Sequence, residues 1–237
     1  MIALKLVIAS DIHGSAYWCR KLVSHIHQER PDVIALLGDL LYHGPRNPLP
    51  RDYAPAEVAA MLNNLASRIV AVRGNCDSEV DQMMLSFPCM GDYALLSDGG
   101  AVPFRVEAGQ GDACDDASGV SSTMSDGVAD PVSDAASSTM SDTTSGTASN
   151  AASPVFPCRQ LLLTHGHVFG PDNVPPHPAS AAQAPIFAVV SGHTHVKQQV
   201  VRDGVLFVNP GSVSLPKDGS NSFMVYEDGA FEVRLLD

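Results

Sequence analysis

The 237 residues contain no basic stripe, no Cys-x-x-Cys pair and no apolar run of 18 residues, and each absence removes a class of function. Without clustered Lys and Arg a long polyanion has no counterion-releasing surface, so nucleic acid is not expected as a partner. Without a long apolar run no membrane-spanning helix is expected. The five cysteines (Cys19, Cys76, Cys89, Cys114, Cys158) are odd in number and unpatterned. A disulfide framework is therefore not expected, and a reducing, cytoplasmic location is. The apolar stretch Ile2–Ala9 is broken by Lys5 and runs straight into Asp11. It is too short for the apolar core of a signal peptide and reads as a buried first strand.

What is present fits a globular enzyme: 45% hydrophobic residues, 17% charged, and a length suited to one sizeable core. The net charge of −12 is unevenly placed. Between Asp98 and Pro154 nine acidic residues face Arg105 alone, so that segment carries −8 and the remainder only −4. Residues 109–153 are Ser, Thr, Ala, Asp and Gly with few branched or aromatic side chains, and the hexapeptide Ser-Ser-Thr-Met-Ser-Asp occurs twice, at Ser121–Asp126 and Ser137–Asp142. Such a composition cannot offset its ordering entropy. It reads as a low-complexity insert interrupting a single domain over 1–237.

Before the insert the pattern predicts strands over Leu4–Ala9, Asp32–Leu37 and Ile69–Arg73. Helices are predicted over Ala16–Arg30, Pro55–Ser67 and Ser78–Leu85, with Ser78 as N-cap. This alternation predicts a parallel sheet. After it, strands dominate: Gln160–Thr164, Ile186–Ser191, Lys197–Arg202, Val205–Val208, Ser222–Tyr226 and Phe231–Leu235, with Asp203-Gly204 and Asp228-Gly229 as hairpin turns. A second, mostly antiparallel sheet is expected, giving an α/β fold of two sheets packed between helices.

Chemistry-bearing residues gather just past these strands: Asp11 and His13, Asp39, Asn75, His165, then His193 and His195. Ligands bind outside the carboxyl ends of strands in open α/β sheets. Two carboxylates, a carboxamide and four imidazoles suit two neighbouring divalent metals of borderline softness. Such a pair, about 3.5–4 Å apart, clamps the attacking and leaving oxygens of a phosphoryl displacement.

The segments Ser10-Asp11-Ile12-His13, Gly38-Asp39, Gly74-Asn75-Cys76-Asp77, Thr164-His165 and Gly192-His193-Thr194-His195 resemble the calcineurin-like metallophosphoesterase superfamily, and within it the small bacterial phosphodiesterases of the YfcE type. The resemblance covers roughly 1–95 and 158–237. It implies a four-layer α/β/β/α sandwich of two mixed sheets. It also implies that Asp11, His13 and His195 hold one metal, that Asn75, His165 and His193 hold the other, and that Asp39 bridges them. Mn²⁺ is the metal expected, with Zn²⁺, Fe²⁺, Ni²⁺ and Co²⁺ compatible with the same ligands. Asp39, Asn75 and Cys76 are the expected catalytic residues. Cys76 departs from the superfamily's usual His, although YfcE-type proteins share it, and a thiol is a weak hydrogen-bond donor in place of imidazole. Asp77, His43, His167 and Arg46 are expected behind the ligands or against substrate, with Arg73 a further phosphate-facing candidate.

The resulting expectation is a dinuclear metal-dependent phosphodiesterase that hydrolyses a small soluble phosphodiester by in-line attack of a metal-bridging hydroxide. Phosphomonoesterase or nucleotide pyrophosphatase activity would use the same ligands. A non-catalytic interaction scaffold, the fate of the superfamily's eukaryotic retromer subunit, need not keep a full ligand set. Relatives also suggest a homo-oligomer.

Overall fold

The computed structural model describes residues 4–98, 106–109, 159–170, 173 and 186–237. Apart from Gly109, the insert at 109–153 lies outside the described residues, as do Cys114, Cys158 and His177.

Lys5–Ala9 (β1), Val33–Leu36 (β2) and Ile69–Ala71 (β3) pair in parallel, and Ser222–Glu227 (β10) and Ala230–Leu235 (β11) extend this sheet antiparallel on the β1 side, in the order β11-β10-β1-β2-β3. The second sheet holds Tyr93–Asp98 (β4), Val106–Gly109 (β5), Arg159–Thr164 (β6), Ile186–Val190 (β7), Lys197–Arg202 (β8) and Val205–Pro210 (β9), in the order β5-β4-β6-β7-β9-β8.

Period-two alternation sorts the side chains into three layers. Leu6 and Ile8 of β1, Ala35 of β2, Met224 and Tyr226 of β10 meet Leu161, Leu163, Ala188, Val190 and Val208 from the second sheet, forming the core between the sheets. Val7, Ala9, Ile34, Leu36, Phe223 and Val225 face the opposite way, onto Ala16–Glu29 (α1) and Pro55–Asn63 (α2) through Leu22, Ile26, Val58 and Leu62. Leu95, Leu162, Val189 and Phe207 form a third cluster on the outer face of the second sheet. Burying each large aliphatic residue contributes about 1.5–3 kcal/mol. Among the described residues, both long helices cover the first sheet.

Both hairpin turns are as the sequence predicts. Asp203 and Gly204 have φ of 49° and 81°, and Asp228 and Gly229 have 48° and 84°, the left-handed pair of a type I′ turn. The short helix Glu79–Met84 (α3) starts where Ser78 predicts, with the Ser78 N–H donating to the Asp81 carboxylate at 2.9 Å.

Three expectations are corrected. The strands after the insert do not form one sheet by themselves: β10 and β11 join the first sheet, and the second keeps its antiparallel pairs around the parallel run β6, β7 and β9. Residues Ser222–Tyr226 of β10 are buried throughout, so that strand needs cover on both faces and finds it beside β1. Strand β4 was not foreseen, because Ala-Leu-Leu-Ser-Asp carries little β-propensity. The helix expected to reach Ser67 ends at Asn63, whose side chain turns to the Met84 carbonyl and the Ser86 N–H. A separate 3₁₀ turn follows at Ala66–Arg68.

Candidate metal centre

All seven ligand candidates lie past strand ends at one edge of the two sheets. Asp11 and His13 follow β1, Asp39 follows β2, Asn75 follows β3, His165 follows β6, and His193 and His195 follow β7. The turns that carry them are strained. Asp11, His13, Asp39, His193 and His195 have φ between 48° and 66°, five of the nine non-glycine residues in the left-handed region among those described. Side chains rarely adopt that conformation, and it costs of order 1–3 kcal/mol per residue unless the surroundings over-determine it. Here they do. Asp11 N–H donates to the Gly38 carbonyl, His13 N–H to Asp39 and Gly192 N–H to His165, so each turn is tied to the next. The contact is close enough to require glycine: a Cβ on Gly192 would lie 1.9 Å from Ser10 Oγ, and one on Gly74 would lie 2.1 Å from Asp39 Oδ1.

Three imidazoles are fixed in one tautomer. Nδ1 of His13, His165 and His195 donates to the carbonyls of Tyr42 (2.9 Å), Leu37 (2.6 Å) and Leu215 (2.6 Å). A carbonyl only accepts, so the proton is on Nδ1 and the Nε2 lone pair is free to bind a metal. These lone pairs converge in two groups. In the first, His195 Nε2 is 3.1 Å from Asp11 Oδ1 and 3.3 Å from His13 Nε2, and His13 Nε2 is 3.7 Å from Asp11 Oδ1. In the second, His165 Nε2 is 3.1 Å from Asn75 Oδ1 and 3.3 Å from His193 Nδ1. Asp39 Oδ2 lies 3.7 Å from His13 Nε2 and 3.6 Å from His165 Nε2, between the two groups.

These spacings fit cations. Metal–ligand bonds of about 2.1 Å put neighbouring ligand atoms about 3.0 Å apart in an octahedron and about 3.4 Å apart in a tetrahedron. Two imidazole lone pairs facing each other at 3.3 Å repel unless a cation or proton lies between them. Asp11 Oδ1 is buried and has no hydrogen-bond donor, and buried acceptors are otherwise almost always paired. The electrostatics agree. Burial raises the Asp11 carboxyl pKa, but His195, with the charges of His165 and His13, outweighs it and holds the group at about 2. His195 is lowered by burial and raised by Asp11, with a net rise. Burial lowers His13, and it also lowers His193, with His165 adding to the effect. A proton and a cation thus compete for the position between Asp11 and His195.

The remaining candidates divide. Asp77 accepts the N–H groups of Asp39 (2.8 Å), Leu40 (2.8 Å) and Gly74 (2.7 Å), holding the Asp39 turn from behind. Burial and the neighbouring Asp39 raise its pKa, and those three donors oppose the rise. Cys76 donates its N–H to Asp39 Oδ1 at 2.8 Å, and its Sγ lies 3.2 Å from Asn75 Nδ2. Burial, then the Asp39 charge, push its thiol up to about 12. Arg46 lines a cleft of about 520 Å³ that opens on Asp39, Asn75, Cys76, His193 and His195. His43 does not line it; its ring instead stacks edge-on with Tyr42 and Tyr53. His167 is exposed at the residue level, its ring 5.2 Å from that of His165, and partial desolvation of the ring with the charges of His165 and His193 lowers its pKa. Arg73 does not line the cleft. Tyr42, Asn47 and Lys217, which do, were not singled out from sequence. They occupy loops of irregular spacing, where no periodicity signals a site.

Comparison with known proteins agrees with this geometry. Residues 4–228 match the model of the calcineurin-like phosphoesterase superfamily domain. Phosphodiesterase YfcE of Escherichia coli K12 is 34% identical over 217 residues, covering 92% of this chain and 83% of that protein. The solved structure of E. coli YfcE, a phosphoesterase, superposes with a TM-score of 0.67 at 32% identity, over 99% of this chain and 94% of that one. An archaeal phosphodiesterase shares the fold at a TM-score of 0.50 and 16% identity, over 98% and 99% of the two chains.

Proposed function

The chain belongs to the calcineurin-like phosphoesterase superfamily and is a phosphoester hydrolase, and from that premise we propose that it cleaves a small phosphodiester at a two-metal centre. The observation that carries the reading is the meeting of two ligand groups at a single carboxylate oxygen, Asp39 Oδ2, within 3.7 Å of both. Asp11, His13 and His195 would hold one divalent metal and Asn75, His165 and His193 the other, with Asp39 between them and Mn²⁺ the expected ion. When bound, such a pair supplies Lewis acidity for phosphoryl transfer to water.

The protein's own contribution is orientation. The carbonyls of Tyr42, Leu37 and Leu215 hold the proton of three imidazoles on Nδ1 and aim Nε2 inward, and Asp77 holds the Asp39 turn. Cys76 takes the cleft position where an imidazole would protonate a departing oxygen. A thiol protonates poorly, so the site favours esters whose leaving group departs unassisted.

The test is Mn²⁺-dependent hydrolysis of bis-p-nitrophenyl phosphate beside p-nitrophenyl phosphate. Wild type is expected to prefer the diester, His193→Ala to lose turnover of both, and Cys76→His to gain on alkyl esters with poor leaving groups. Equal or greater monoester turnover would overturn the diesterase reading. Unchanged alkyl-ester turnover in Cys76→His would remove the leaving-group argument.

A further inference from the structure

Two basic side chains, Arg46 and Lys217, line the same cleft as Asp39, Asn75, Cys76, His193 and His195. Several of the other described cations are held by carboxylates. Lys5 pairs with Glu29, Arg20 with Asp52 and Glu57, Arg159 with Asp98 and Asp228, Lys197 with Asp218, and Arg234 with Glu29 and Glu232. Among the described residues neither Arg46 nor Lys217 reaches a carboxylate. The one acidic residue lining the cleft is Asp39, which the proposed function assigns to the metals.

Both cations sit on loops bonded directly to the first ligand group. The loop carrying Arg46 begins at Tyr42, whose carbonyl takes His13 Nδ1–H. Lys217 donates its backbone N–H to the His195 carbonyl at 3.0 Å, and Leu215, two residues earlier, takes His195 Nδ1–H. The loops that carry the two cations are therefore tied to the His13 and His195 positions.

A simple diester carries one negative charge, and together with the carboxylates of Asp11 and Asp39 and an attacking hydroxide it would already offset two divalent metals. Two further unpaired cations are surplus for such a substrate. We propose that Arg46 and Lys217 are specificity-determining residues that take a second anionic group on one arm of the substrate, a carboxylate or a further phosphate, so that the preferred substrate is a diester with at least two negative charges. This rests on the phosphodiesterase reading above.

The experiment compares two synthetic esters of similar length, p-nitrophenyl butyl phosphate and p-nitrophenyl 3-carboxypropyl phosphate, in wild type, Arg46→Met and Lys217→Met, with Mn²⁺ present. Wild type is expected to favour the carboxylated ester in kcat/KM by about tenfold, the scale of a hydrogen bond to a charged group. That ratio should shrink with added salt and fall toward one in each variant. Because the readout is a ratio within one protein sample, a general loss of folding or metal in a variant does not imitate it. Turnover of both esters by wild type at equal efficiency, or a preference unmoved in both variants, overturns the proposal and leaves the phosphodiesterase reading standing. Failure to cleave either ester overturns both.

Discussion

Asp77 carries no ligand atom toward the metals, yet the position of Asp39 depends on it. Its two oxygens accept three backbone N–H groups from both sides of the β2 and β3 turns. An amide at this position keeps one acceptor oxygen and turns an NH₂ toward donors. Asp77→Asn is therefore expected to lower kcat/KM for bis-p-nitrophenyl phosphate by about 10–100-fold. Calorimetric Mn²⁺ affinity should fall in parallel while the thermal transition stays cooperative. A change below about twofold in both would mean that the Asp39 turn holds without it. The aspartate is plain in the motif Gly74-Asn75-Cys76-Asp77, but its three backbone partners are not, since they come from residues 38 positions apart or fewer with no side-chain signal.

At the scale of elements, each ligand candidate follows a strand, and in the first half of the chain a helix follows each of those loops. Helix α1 begins three residues past His13, and Ser15 fixes its start. Ser15 Oγ donates to the Arg51 carbonyl at 2.5 Å and accepts from the Trp18 N–H at 3.4 Å. Ser15→Ala removes the cap and the tie to the 42–53 loop together. It should lower stability by about 1 kcal/mol, seen as a lower urea midpoint at unchanged m-value. An unmoved midpoint would show that Gly14 and the Ala16 N–H, which donates to the Asp52 carbonyl, are enough to set the helix entry. Helix and strand positions near the N-terminus were legible because their apolar periods are regular. Strand β4 was not, because its local composition favours helix and its pairing with β5 and β6 makes it a strand.

Across the whole molecule, a buried polar link joins the two sheets at the edge of their shared core. Tyr226 of β10 donates its hydroxyl to Asp98 of β4, which Arg159 of β6 also meets at 3.3 Å. Asp98 is only 5% exposed. Tyr226→Phe leaves its carboxylate short of a donor, at a cost of about 1–3 kcal/mol in unfolding free energy, and no loss would show that Arg159 alone satisfies it. The link also has a pH signature. Burial and Asp98 raise the Tyr226 pKa above its ordinary value of 10, so the folded state binds this proton more tightly than the unfolded chain does. Its stabilising contribution is complete below pH 10 and is lost as the pH rises toward the folded-state value. Alkaline titration of stability should therefore decline less steeply in Tyr226→Phe.

The same topology bears on the interrupting segment. The chain leaves the second sheet at Gly109 in β5 and re-enters at Arg159 in β6, on the two sides of β4. We propose that the segment is a passive insert in one domain. Deleting residues 112–153 should keep kcat and KM for bis-p-nitrophenyl phosphate within about twofold, and a large rise in KM would assign the segment to the active site.

Which residues carry ligand chemistry, and that they gather at one place, could be read from the sequence, because ligand chemistry is a property of residue type and each candidate follows an apolar strand. Asp11, Asp39, Asn75 and the four histidines needed no tertiary information to be grouped. Only the folded chain decided that His13, His165 and His195 present Nε2, since their tautomers are set by carbonyls of Tyr42, Leu37 and Leu215 that lie 20 to 128 positions away. Only the fold could bring Arg46 and Lys217 to one cleft and leave His43 outside it. It also placed β10 beside β1, because a strand buried on both faces takes its position from whichever neighbours can cover it, and local sequence does not encode those neighbours.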